Sequence, residues 1–327
     1  MDARHDEQAD RHRRTYVARI NRVVDHIDAN LAAPLDLATL AAVAHFSPWH
    51  FHRLFQAMTG ETLADRVRRR RLEVAAIRLL ATPPPTALAI ALDVGFASPE
   101  VFTRAFRAHF GVTPSVWRRG AWRDCVEAHR AQLRKIHQGL RKPDQAVAEA
   151  FRDDADPWQL RHDDRTGGLT MDIEIRTLPA MTVAYLRHTG PYGSPGIGQL
   201  WGRFSAWAGP RGLLAPGRAM LGISQDSPDI TPADKLRYDA CIEVDAGFRP
   251  EGEVGVQPLP GGRYACTRFD GDGAQIHAAW MALFGQWLPG SGYQCDDRPC
   301  FEWYDRGADV DAQGRFSCLL CAPLKPL

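Results

Sequence analysis

Apolar positions recur three and four residues apart through the first 140 residues, the spacing of one helix face. Val17, Ile20, Val23, Val24, Ile27 and Leu31 predict an amphipathic helix over 16–31, preceded by a polar, charged stretch 1–13 expected to fray. Phe51, Leu54, Phe55 and Met58 fall at i, i+3, i+4 and i+7, and Phe102, Ala105, Phe106 and His109 repeat that spacing. Leu63, Val67, Leu72, Ala75, Ala76 and Leu79 predict a long helix over 62–80, which Pro83, Pro84 and Pro85 end. Trp122 to Leu140 is predicted helical through Val126, Leu133 and Ile136, before a stretch rich in Asp and Arg with Pro143, Pro157 and Gly167-Gly168. From Met171 onward the texture changes to short strands between Gly and Pro turns.

Two of these segments repeat each other. A shift of 51 residues puts Ser47-Pro48 on Ser98-Pro99, Phe51 on Phe102, Arg53 on Arg104, Phe55 on Phe106 and Gly60 on Gly111. Upstream the shift is 50, placing Leu40-Ala41 on Ile90-Ala91, so one residue is inserted in the second turn. Each copy reads as a short Ala-rich helix, a tight turn and a helix opened by Ser-Pro and closed by Gly. Asp36 is placed to cap the first helix. The outer faces carry Trp49, His50, His52, Arg53 and Gln56 in one copy and Glu100, Thr103, Arg104 and Arg107 in the other. A short helix pinned by its apolar face and carrying donors and cations outside predicts a helix-turn-helix reader. The joining helix, about 19 residues at 1.5 Å each, makes a rod of about 28 Å, near the ~34 Å repeat of DNA. Arg66 and the run Arg68 to Arg71 crowd its middle, and the run is expected on a solvated face, with one or two of its members reaching phosphate.

A fainter repeat, offset by 81, maps Leu178-Pro179 on Leu259-Pro260, Ala184 on Ala265, Arg187 on Arg268 and Gly190 on Gly271. A Trp-bearing helix follows each glycine (197–208 and 274–288), and then two strands (220–225 with 238–244, and 300–305 with 315–320). The expected architecture is therefore multidomain: an all-α double helix-turn-helix domain followed by an α+β domain built from a duplicated β-α-β-β unit. The boundaries are 14–120, a partly helical linker 121–168, and 169–327. A groove between the two halves of the second domain is the natural place for a ligand.

Charge supports the division. Net charge is +1 overall, but residues 12–123 hold 16 arginines against 8 acids, and residues 169–327 hold 14 basic against 18 acidic residues. A basic half suits a polyanion and the acidic half has other business. Seven scattered cysteines and the lack of a signal peptide predict a reducing, cytoplasmic setting. Cys318 and Cys321 have no partner pair at zinc spacing and read as small residues of a buried strand. No metal or cofactor is expected, and no apolar run approaches the roughly 20 residues of a membrane span.

These residues resemble a known family. Leu37 to Arg118 carry, in order, the LA-x-x-A, S-x-W-H-F-x-R-x-F, GF-x-S and F-x-R-x-F-x-x-x-FG-x-TP-x-x-W-R signatures of AraC/XylS-type transcription regulators. From about residue 170, GPY at Gly190–Tyr192, the segments GIS and LRYDACIEV within Gly222–Val244, and FEWY at Phe301–Tyr304 resemble the GyrI-like (SHS2-type) effector-binding domain. The order, reader then sensor, is Rob-like. The resemblance implies contact with double-stranded DNA by Trp49, His50, His52 and Arg53 of the first reading helix and by Glu100, Thr103 and Arg104 of the second. Arg53 can fork onto guanine or clamp a phosphate, and Glu100 can accept from cytosine while repelling phosphate. RNA polymerase is a candidate further partner; oligomeric state is left open.

Strand alternation sets Glu302 and Tyr304 on one face and Phe301 and Trp303 on the other. An ionised acid among aromatic rings is costly to bury without a partner. In the resembling domains the glutamate of this motif sits in an aromatic pocket for organic cations; the other reading is an acid paired to Arg187 or Arg268. Tyr192, Trp201, Phe204 and Tyr238 are candidate walls. The function this implies is a ligand-responsive, DNA-binding transcription regulator and not an enzyme. The alternatives are a small-molecule hydrolase with Glu302 as general base, or a toxin-sequestering module tethered to a DNA reader.

Overall fold

The computed structural model describes residues 3–140, 172–273, 275–304 and 315–327. Two compact units follow one another, the first built on Met1–Val126, the second on Glu127–Phe248 and Val256–Leu327.

The first unit is all helix: α1 (Ala3–Ala29), α2 (Leu37–Val43), α3 (Pro48–Thr59), α4 (Leu63–Arg78), α5 (Ala87–Asp93), α6 (Pro99–Phe110), α7 (Pro114–Val116), and the start of α8 (Trp122–Leu140). Positions 3–13, expected to fray, instead continue α1. The two repeats correspond element for element, α2 and α3 in the first and α5 and α6 in the second. Asp36 caps α2 by accepting from the Thr39 amide at 2.8 Å, and Thr86 caps α5 through Ala89. Ser98 accepts from the Val101 amide, whereas Ser47 makes no side-chain cap and α3 starts on Pro48 alone. In the turns, His45 (φ 55°) holds the left-handed conformation that Gly95 (φ 88°) adopts in the second copy. Phe46 and Phe96 then donate to Ala41 and Ala91 carbonyls, so the inserted residue is Ala97.

The apolar faces are narrower than periodicity predicts. Phe51 and Phe55, like Phe102 and Phe106, are fully buried, but Met58 and His109 in the last helical turn are exposed. One core joins Ile20, Val23, Val24 and Ile27 of α1 to Leu40, Ala41, Phe51 and Phe55. In the other copy Phe106 meets Trp117 edge-on, and the Trp117 indole donates to the Ala76 carbonyl of α4 at 3.1 Å.

The second unit is a curled antiparallel sheet with two helices on one face. Its elements are β1 (Ile173–Leu178), β2 (Met181–Thr189), α9 (Pro195–Ala208), β3 (Met220–Ser224), β4 (Arg237–Val244), β5 (Gly255–Leu259), β6 (Gly262–Asp272), α10 (Ile276–Ala282), β7 (Tyr293–Gln294), β8 (Phe301–Tyr304), β9 (Arg315–Pro323) and β10 (Lys325–Pro326). Eight strands run β1-β6-β9-β8-β3-β4-β2-β5, and β7 with β10 form a small separate ladder. The order is its own mirror under the 81-residue shift, with β8 and β3 meeting at the centre. The duplicated unit has one strand more than expected. β1 and β5 each precede the β-α-β-β element and pair with the other half, β1 on β6 and β5 beside β2. β1 is a mostly exposed edge strand, which leaves little apolar pattern to read.

Val183, Tyr185, Leu221, Cys241, Tyr264, Cys266, Phe301 and Cys321 form the core on one sheet face. The opposite face carries Ala265 and Ala322 under Trp280 and Leu283 of the α10 segment, and it also presents Glu302. The second Trp-bearing helix is shorter than predicted, since a wider turn (Leu283–Trp287) takes over after Ala282. Among the described residues no helix is long and apolar enough to cross a membrane.

Candidate functional site

Helices α3 and α6 are held from behind by Phe51 and Phe55 and by Phe102 and Phe106, and are open in front. His52, Arg53 and Gln56 of α3 and Glu100, Arg104 and Arg107 of α6 are exposed, with Thr103 half-buried between them. The side chains of Trp49 and His50 lie outside the described residues. The Ser98 hydroxyl lowers the pKa of Glu100, with Arg104 one turn later adding to it, so the acid stands ionised beside that arginine. Arg53 has no such acidic neighbour resolved on its own helix, and in this the two copies differ. A groove of about 520 Å³ lies beside α3, lined by Leu35, Leu37, His52, Val67, Arg68 and Phe96.

The run Arg68 to Arg71 in α4 departs from expectation, and Arg66 before it is drawn inward as well. Arg66 and Arg69 are buried and Arg70 and Arg71 half-buried; of the five only Arg68 is exposed. Arg69 donates to Glu61 at 2.7 and 3.0 Å and to Glu73 at 2.8 Å, while Arg70 bridges Glu73 and Asp28. Arg71 donates to the Leu31 and Ala33 carbonyls. Gly95 packs so tightly against the Leu31 carbonyl and Arg71 that a side chain there would collide with both. The run is thus an internal clamp that ties α4 to Glu61, to the end of α1 and to the segment after it, with Gly95 packed against the last of these. Arg68, paired with Asp65 at the surface, alone keeps the solvated position expected of the run.

In the second unit the sheet centre brings Glu302 of β8 opposite Gly222 of β3, and Gly222 opposite Ala240 of β4. Glu302 is 7% exposed. Its Oε2 accepts from the Tyr238 hydroxyl at 2.7 Å and from the Tyr304 hydroxyl at 2.8 Å, and the Trp280 side chain adds a third hydrogen bond. Burial raises the Glu302 pKa against the pull of these three donors. Burial raises the Tyr238 and Tyr304 pKa values too, and the nearby carboxylate adds to both shifts, so both hydroxyls remain donors.

The aromatic surround is continuous. Trp201 of α9 meets Tyr304 edge-on at 5.2 Å and Tyr238 at 6.5 Å, Phe204 backs Trp201, and Phe316 of β9 closes on Tyr304. Tyr192 stands one ring farther out, 6.4 Å from Tyr238. Its hydroxyl donates to backbone carbonyls of Arg237 and Asp226, so it is a brace with no hydroxyl to spare for a ligand. Of the expected walls, Tyr238, Tyr304 and Trp201 surround the acid, and Phe204 and Tyr192 support them. Trp280 and Phe316 were not singled out in the sequence; the alternation that pairs Glu302 with Tyr304 places Phe316 and Cys318 on one strand face, a signal available but unused.

Among the described residues no arginine pairs with the acid. Arg187 is held by Asp239 through two 2.7 Å bonds, and Arg268 pairs with Asp270 at the surface. Cys318 and Cys321 lie on opposite faces of β9, Cys321 in the core 3.6 Å from Cys266 and Cys318 toward Glu302.

Two family models match the chain: a helix-turn-helix domain over residues 40–120 and a GyrI-like small molecule binding domain over residues 171–325. The regulatory protein SoxS of Escherichia coli K12 is 37% identical over 99 residues, 30% of this chain and 92% of SoxS. The chain belongs to the AraC/XylS family of transcription regulators. A putative transcriptional regulator of Bacillus subtilis, YosT, is 34% identical over 116 residues, 36% of this chain and 77% of YosT. The transcriptional regulator Rob of Salmonella typhimurium is 40% identical over 95 residues, 29% of this chain and 32% of Rob. All three identities fall on a stretch about the size of the helical unit, and the chain is a DNA-binding transcriptional regulator of this type.

Proposed function

We propose that this regulator is switched by a small lipophilic or aromatic cation that enters the chamber around Glu302. One observation carries the reading: a carboxylate buried among aromatic side chains, with hydroxyl and indole donors and, among the described residues, no arginine or lysine on it. Such an acid is poorly compensated when ionised, and a cation would supply both the missing charge and contacts with the surrounding ring faces. The division that goes with this is a reader over 14–120, a linker over 121–168 and a sensor over 169–327. In the reader, Arg53 and Arg104 are the lead contacts to double-stranded promoter DNA, with Trp49, His50, His52, Glu100 and Thr103 beside them. The hydrolase alternative is not favoured, because the relatives matched over the helical unit are transcription regulators.

The test is promoter affinity by fluorescence anisotropy with and without tetraphenylphosphonium. Wild type is expected to change affinity at least threefold and Glu302→Gln not at all. An equal response in the two proteins, or none in wild type, would remove Glu302 as the counter-charge.

A further inference from the structure

Helix α8 lies in neither matched region, since one ends at residue 120 and the other begins at 171. From Glu127 on it nevertheless belongs to the compact second unit. Leu133 is buried in a cluster with Ala233 and Leu236, against Tyr192. One turn earlier, Arg130 donates to both oxygens of Asp229, at 3.0 and 3.4 Å, and to the Met281 sulfur at 3.4 Å. Asp229 follows β3 in the first half of the duplicated domain, and Met281 is on α10 in the second half. Two adjacent turns of one helix therefore fasten to both halves.

Each fastening point is one residue from the acid's own shell. Tyr192, under Leu133, has its ring against Tyr238, which donates to Glu302. Met281, under Arg130, is the chain neighbour of Trp280, which also hydrogen-bonds to Glu302. The chamber is closed in this form. Glu302 is nearly inaccessible, and the space a methyl on Gly222 would need is filled by the Tyr238 hydroxyl and the carboxylate. Admitting a ligand beside Glu302 requires one of the side chains packed on it to move, and two of these, Tyr238 and Trp280, adjoin Tyr192 and Met281.

We infer that the sensor carries a docking surface for α8, formed by Tyr192, Asp229, Ala233, Leu236 and Met281, and that α8 docking and opening of the Glu302 chamber exclude one another. This rests on the chamber being the effector site and adds how its occupancy leaves the domain. The helix that leads out of the reader is the strap across the chamber walls. Because coupling between two equilibria is reciprocal, whatever loosens α8 must tighten ligand binding by the same factor.

Hydrogen exchange on the full chain, read on peptides covering 122–140, tests this. Leu133→Ala and Arg130→Gln are each expected to raise α8 exchange about tenfold. Both positions lie outside the folded sheet, so each variant should keep the sensor intact. Gly222→Ala and Tyr304→Trp, which crowd the chamber from within, are expected to raise α8 exchange with no ligand present. Tetraphenylphosphonium at saturation should do the same in wild type and add nothing in Leu133→Ala, which should bind that cation about tenfold more tightly. Unchanged α8 exchange in both Leu133→Ala and Arg130→Gln would overturn the docking surface. Unchanged α8 exchange in folded Gly222→Ala and Tyr304→Trp would overturn the coupling. Failure of the cation to bind wild type would instead count against the ligand class, leaving the four variants to decide the strap.

Discussion

The Tyr238 hydroxyl donates to Glu302 Oε2 over 2.7 Å, and Tyr304 donates to the same oxygen at 2.8 Å. Three uncharged donors do not replace the water that burial removes, and the Glu302 pKa rises above its ordinary 4.5. The sign for stability follows. An acid whose folded-state pKa is raised leaves the fold at full strength below the ordinary value and weakens it as pH rises to the folded-state value. Wild type should therefore lose stability relative to Glu302→Gln above pH 4.5, by about 1.4 kcal/mol per pH unit until the folded-state pKa is passed. Urea midpoints of the two proteins from about pH 4 to 8 measure it. Parallel curves would mean that burial of this acid costs nothing.

Cation binding should carry the opposite dependence. The ionised carboxylate is the form that attracts a cation, so tetraphenylphosphonium affinity should fall as pH drops through the raised Glu302 pKa. Isothermal titration at a series of pH values reads it. An affinity that is flat across that range would mean that the rings alone hold the ligand.

The exposed guanidiniums of Arg53 and Arg104 occupy equivalent positions of the two reading helices, but only Arg104 has Glu100 one turn away. Arg53→Ala and Arg104→Ala should each weaken promoter binding, Arg53→Ala by more, because the acid offsets part of the Arg104 charge. If the lost contact is to phosphate, the slope of log affinity against log salt should shrink by about one. If it is to a guanine edge, the loss should be about 1–3 kcal/mol and confined to one base-pair position. Wild-type affinity in both variants would dismiss α3 and α6 as readers.

What the residues announced in advance and what they hid divides along one line. The paired Ser-Pro helices, the N-cap at Asp36 and the facing of Glu302 with Tyr304 depend on neighbours a few positions away, and periodicity reports such neighbours directly. Arg68 to Arg71 looked like a solvated basic run because the partners that draw Arg70 and Arg71 inward are far along the chain: Asp28 is 42 residues from Arg70, and the carbonyl of Leu31 is 40 from Arg71. The exchange of β1 onto β6 escaped for a similar reason, since Ile173 pairs with Thr267 across most of the domain. Trp280 reaches Glu302 from another helix, and no local pattern marks that approach.

That internal clamp makes a sharp contrast between adjacent arginines. Arg69 is buried and bonded to two glutamates, so Arg69→Ala leaves Glu61 and Glu73 without it and should cost about 3–5 kcal/mol. Arg68, paired with Asp65 at the surface, should change stability by less than about 0.5 kcal/mol on conversion to alanine. Thermal unfolding of the helical unit within the full chain separates them, and equal effects would refute the clamp.

Gly222 offers a test of the chamber that leaves its acid in place. The residue lies mid-strand in β3, directly across from Glu302, where glycine normally weakens a strand by removing a side chain to pack. Here the missing side chain is the point, because the Tyr238 hydroxyl and the Glu302 carboxylate occupy the space a Cβ would take. Gly222→Ala should displace the Tyr238 hydroxyl, weaken its bond to Glu302 and change the near-ultraviolet circular dichroism of the surrounding Trp201 and Tyr304 rings. Gly198, inside α9 with open space where its Cβ would be, is the matched control. Gly198→Ala should leave that spectrum unchanged and, by gaining helix propensity, stabilise the fold by up to about 1 kcal/mol. Identical near-ultraviolet spectra for wild type and Gly222→Ala would mean that Tyr238 is not wedged between strand and acid.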